Sequence, residues 1–164
     1  MLHDPVAAVL DWETQQRDFE GDGALRDIYV QATTTADWKV VLALILDGNF
    51  QARLERGGAL VPVPIEFETL FDDNDNDRHL LSFTIADVVL SCQFFQPEEI
   101  ELSFLPNGVT EDALQHVLAF IVDIGEATRK PVIMTPENYP QAPIFRYEPD
   151  EHQLTWIPPV ENRN

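Results

Sequence analysis

Apolar positions fall into two periodicities along this chain. Trp38, Val41, Leu42 and Ile45 recur at helical spacing. Thr33-Thr34-Thr35 with Asp37 offers an N-cap and an acidic first turn before them, and Gly48 stands where a helix would stop. A second helix is expected from Thr110, with Glu111 and Asp112 in its first turn and an apolar stripe of Leu114, Val117, Leu118, Ile121 and Ile124, until Pro131 ends it. Between them, Leu80 to Ala86, Val88 to Phe95 and Ile100 to Leu105 alternate with period two across short polar connections and predict a three-stranded meander.

The remaining segments read more locally. Ala8 to Thr14, carrying Val9, Leu10 and Trp12, reads as a strand that pairs with Arg26 to Ala32 across the turn signal Glu20-Gly21-Asp22-Gly23. Phe50 to Arg56 reads as a strand leading to the Gly57-Gly58 turn. Pro62 and Pro64 make Val61 to Ile65 an edge or an extended loop, and Glu66 to Phe71 one helical turn. Val132 to Thr135 is a short buried strand, and Ile144 to Tyr147 with Leu154 to Ile157 form a final hairpin. The expected fold is α+β: an antiparallel sheet with two main amphipathic helices packed on it. Residues 1–157 form one domain and 158–164 a flexible tail. Residues 28–46 and 100–124 share a strand, a Thr-capped acidic turn and a helix, so a duplicated strand–helix unit is possible.

Charge changes the picture more than length does. The 164 residues carry 29 acids against 10 bases, a formal net charge of −19. Phosphates and anionic membranes repel such a surface, so the expected partners exclude nucleic acid and membrane and favour a basic protein. Solubility alone is the competing explanation of the same acidity. The single cysteine, Cys92, shares a strand face with Val88, Leu90 and Phe94 and reads as a small core residue. With no disulfide possible and no basic, apolar leader at Met1 to Val6, the expected location is the cytoplasm. The longest apolar runs fall well short of the roughly 20 residues of a membrane span.

The spacing of polar residues matches no motif of catalysis or metal binding. The acidic loop Asp72 to Asp77 has the oxygen density of a calcium site, but the first register puts Asp77 at the glycine position and Phe83 at the bidentate glutamate position. The next register places Arg78 and Thr84 there. His3, His79, His116 and His152 make no zinc spacing, and no Gly-x-Ser-x-Gly, phosphate loop or Gly-x-Gly-x-x-Gly occurs. No cofactor, metal site or catalytic residue is therefore expected. Two sets of candidate binding residues remain. Asp72, Asp73, Asp75 and Asp77 form the densest negative run, suited to steering a basic partner. Glu137 and Asn138, held between Pro136 and Pro140, would with Arg146 line a pocket if a small molecule is bound or turned over.

Several strings carry a resemblance: Leu25-Arg26-Asp27-Ile28-Tyr29-Val30 with Thr35-Ala36-Asp37-Trp38, Cys92-Gln93-Phe94-Phe95 with Glu98-Glu99-Ile100-Glu101, and Lys130 to Asn138 with Ile144-Phe145-Arg146-Tyr147. From Leu25 to Tyr147 the chain resembles a family of small acidic bacterial cytoplasmic proteins associated with immunity proteins of polymorphic toxin systems. The resemblance implies a non-enzymatic protein that neutralises a toxin domain by binding it, and it transfers no active-site residue. The alternatives are the pocket at Glu137, Asn138 and Arg146, and an acidic mimic of nucleic acid.

Overall fold

The computed structural model describes residues 4–72 and 77–159. Two short helices, α1 (Pro5–Val9) and α2 (Trp12–Gln15), precede strand β1 (Arg26–Gln31). Helix α3 (Thr35–Asp47), strands β2 (Arg53–Arg56) and β3 (Ala59–Leu60) and a 3-10 turn at Phe67–Phe71 follow. The meander is β4 (His79–Ile85), β5 (Val88–Gln93) and β6 (Glu99–Phe104), and helix α4 (Glu111–Thr128) leads to β7 (Val132–Pro136), β8 (Phe145–Glu148) and β9 (Gln153–Trp156). Among the described residues the strands form one antiparallel sheet in the order β3-β2-β4-β5-β6-β1-β7-β8-β9, an α+β fold.

Local chemistry explains both long helices. Thr34 Oγ1 accepts the Asp37 N–H at 3.4 Å and the Asp37 carboxylate accepts the Thr34 N–H at 2.9 Å, a reciprocal cap at the start of α3. Thr110 Oγ1 caps α4 by accepting the Ala113 N–H at 3.2 Å. The predicted stripes, Trp38, Val41, Leu42 and Ile45 on α3 and Leu114, Val117, Leu118, Ile121 and Ile124 on α4, are all buried. They join Ile28, Val30, Leu90, Ile100, Leu102 and Phe104 in one core on one face of the sheet. Cys92 belongs to that core, and burial pushes its thiol well above the usual range. Among the described residues no helix is long and apolar enough to cross a membrane.

Two expectations need correction. The strand over Ala8 to Thr14, and with it the hairpin to Ala32, is replaced by α1 and α2. Asp4 accepts the N–H groups of Val6 (3.0 Å) and Ala7 (3.2 Å), and Pro5 opens the first turn, so a local cap overrides the apolar alternation. Arg26, buried, then folds residues 18–25 around its guanidinium, with Nε donating to the Asp18 carbonyl at 2.8 Å and Nη2 to the Asp22 carboxylate at 3.4 Å. The strand expected from Phe50 is shortened to β2, because Asn49 and Gln51 adopt left-handed φ values of 64° and 53°.

The strand–helix unit does recur. β1 and β6 pair antiparallel at the middle of the sheet, each followed by a Thr-capped helix, and α3 and α4 touch. The strands after each helix break the symmetry: β2, β4 and β5 approach β6 from the sheet edge, whereas β7, β8 and β9 run from β1 outward. The likeness therefore ends with the strand–helix unit.

Candidate functional site

The helices cover one face of the sheet; strand alternation sends the other side chains to the opposite face. Register aligns six of these across six strands: Arg53 opposite Ser82, Ser82 opposite Ser91, Ser91 opposite Ser103, Ser103 opposite Asp27 and Asp27 opposite Thr135. Three consecutive serines leave a shallow row where larger side chains stand on both sides. Two residues along the strands, Val89, Leu105 and Leu25 make one wall; two residues the other way, Gln93 and Glu101 make the second. The result is a groove of about 640 Å³ whose walls differ in chemistry. Val89, Leu105 and Phe95, which also borders it, are 57%, 54% and 52% exposed, so three apolar side chains face solvent along one groove.

One end of the groove is a network of carboxylates. Asp27 is only 1% exposed, yet its oxygens are satisfied by Ser103 Oγ at 2.8 Å, Tyr29 Oη at 3.0 Å and the Asn138 N–H at 2.8 Å. Tyr29 Oη also lies 3.4 Å from Glu101 Oε1, so one phenol stands between two carboxylates. Burial first, and the neighbouring Asp27 charge second, raise the Glu101 carboxyl above its ordinary value. The same causes push the Tyr29 phenol up, so it remains a proton donor at neutral pH.

Glu137 and Asn138 close this end. Tyr139 N–H donates to the Pro136 carbonyl at 3.1 Å, making a tight turn with Asn138 at φ 60°, a conformation asparagine tolerates better than most residues. That geometry turns the Asn138 N–H onto Asp27, while Glu137 Oε1 accepts the Leu25 N–H at 3.4 Å. Both residues line the groove. Arg146 does not join them. It pairs with Ile133 on the next strand over, and its Nη2 meets the Glu148 carboxylate at 2.6 Å. The pocket expected at Glu137, Asn138 and Arg146 is thus two-thirds assembled, with no guanidinium from β8.

The acidic loop contributes elsewhere. Asp72 and Asp77 are exposed, and the Asp77 carbonyl accepts from Arg56 Nε at 3.2 Å, while Asp73 and Asp75 lie outside the described residues. Among the described residues no group of three or more His, Cys, Asp or Glu is placed to hold a metal ion. Asp27 and Glu101, the groove's inner carboxylates, were missed as site residues. The available signal for Asp27 was an acid directly before the apolar run Ile28, Tyr29 and Val30.

Comparison with protein-family models, with curated proteins and with solved structures gives no match for this chain.

Proposed function

We propose that this protein is a binding module without catalytic chemistry of its own, an immunity-type protein that neutralises a basic toxin domain by occupying it in the cytoplasm. The observation that carries the proposal is the groove on the helix-free face. It joins exposed apolar side chains to carboxylates, in a chain of net charge −19. A polar rim around exposed apolar anchors is the usual anatomy of a protein interface, and the negative field steers a basic partner to it. Asp27 accepts from Tyr29 and Ser103 and Glu101 faces the same Tyr29 hydroxyl, an arrangement that fixes both carboxylates in place at the groove.

Co-expression with each toxic reading frame neighbouring its gene tests the proposal. Growth should be restored against one of them, and the two proteins should purify together at low salt. Failure to restore growth against every such frame contradicts it. A nucleic-acid mimic would instead show competition by duplex DNA for the same partner.

A further inference from the structure

The groove's two walls and closed end specify what lies in it. Its floor is Ser91 and Ser103, hydroxyls that both donate and accept, and its apolar wall is Val89, Leu105 and Leu25. An extended side chain with an aliphatic stem and a cationic head matches that sequence of surfaces: stem over the apolar side chains, head at Glu101. Arginine fits better than lysine, because a planar guanidinium meets a carboxylate through two parallel hydrogen bonds whereas an ammonium is a compact, more strongly hydrated charge. With about 640 Å³, the groove has room for neighbouring side chains of the same segment, which the exposed Val89 and Leu105 would cover.

We propose that the serine-floored groove is the docking site for an arginine flanked by apolar residues on a segment of the basic protein partner. The guanidinium meets Glu101, and the flanking residues pack on Val89 and Leu105. The proposal rests on the protein-binding function above and names the part of the partner that this face recognises.

The probe is a blocked Leu-Arg-Leu peptide, compared with its citrulline counterpart, which keeps the shape and removes the charge. Amide shifts of the isotope-labelled full chain should concentrate at Val89, Ser91, Glu101, Ser103, Leu105 and Asn138. The citrulline peptide should bind at least about tenfold more weakly, since the charge-assisted contacts are lost. Ser91→Phe, which fills the floor, should weaken the arginine peptide about tenfold or more, and Glu101→Gln should weaken it severalfold while leaving the fold intact. Shifts scattered over the acidic surface, equal binding of the citrulline peptide, or full affinity in both variants overturn the site. If a rescued toxin binds Ser91→Phe as tightly as wild type, the groove assignment fails and the immunity function stands. If no toxin is neutralised while the peptide still maps to the groove, the site stands and the immunity function fails.

Discussion

Tyr29→Phe removes one oxygen and leaves the shape of the sheet unchanged, so its effect reports on the buried carboxylate alone. Asp27 is 1% exposed and takes three hydrogen bonds, from Ser103, Tyr29 and the Asn138 N–H. A hydrogen bond to a charged group is worth roughly 1.5–3 kcal/mol, and a buried acceptor left short of donors has little water to replace it. The phenol also stands between Asp27 and Glu101, so its loss leaves two carboxylates facing each other. The ring itself stays buried and phenylalanine fills the same space, so no cavity contribution is expected. The expected loss is about 2–3 kcal/mol, which in a chain of this size lowers Tm by roughly 4–12 °C. Urea unfolding followed by tryptophan fluorescence, with calorimetry alongside, measures it. Ser103→Ala should show a similar loss, and combining Tyr29→Phe with Asp27→Asn should recover part of it, because the neutral amide no longer needs the third donor. A Tyr29→Phe protein within about 0.5 kcal/mol of wild type would mean that water reaches Asp27, and the closed end of the groove would be wrongly described.

Three further outcomes follow from the geometry. Gly125→Ala should destabilise by roughly 1–3 kcal/mol in calorimetry, because a methyl there meets the buried Tyr147 ring, whose hydroxyl bonds the Glu126 carboxylate. Glu101→Gln should stabilise the protein at neutral pH and converge with wild type in acid. The folded-state carboxyl of Glu101 is raised by burial and then by Asp27, so its favourable contribution is complete below the ordinary glutamate pKa and is lost as pH rises through the raised value; unfolding curves across pH 3 to 8, an interval of about five units around that value, test the sign. Cys92 should react with a thiol reagent only as fast as the protein unfolds, because the thiol is buried and pushed up in pKa; rapid labelling of the native state would contradict its place in the core.

The central architecture was legible where the signal is local and repeated. Alternation in Leu80 to Leu105 is long enough to fix three paired strands, and the Thr34 and Thr110 caps sit directly before apolar stripes of the right period. At the N-terminus, Val9, Leu10 and Trp12 mimic a strand, yet Asp4 followed by Pro5 carries a helix-start signal that outweighs three apolar positions. The groove was not legible because it depends on pairing order. Ser82, Ser91 and Ser103 align through the exact register of the meander, and Asp27 joins their row only when β1 inserts between β6 and β7, a long-range choice that no local periodicity specifies. Glu137 and Asn138 stood out as a rigid polar turn and do reach the groove; Arg146, expected beside them, lies one strand further along the sheet.

Stopped-flow association with any toxin that the co-expression test recovers, at about 0.05 M and about 0.5 M salt, tests most directly whether the acidity recruits a partner to this face. Screening shortens the reach of charge from above 10 Å to a few Å across that range, so the association rate should fall about tenfold or more while dissociation changes little. Neutralising the exposed Asp72 and Asp77 should lower association alone, whereas Glu101→Gln with Glu137→Gln should chiefly speed dissociation, because these carboxylates line the groove rather than the steering loop. An association rate indifferent to salt and to all four substitutions would mean that the negative charge serves solubility, and would contradict recruitment of a basic partner to the open sheet face.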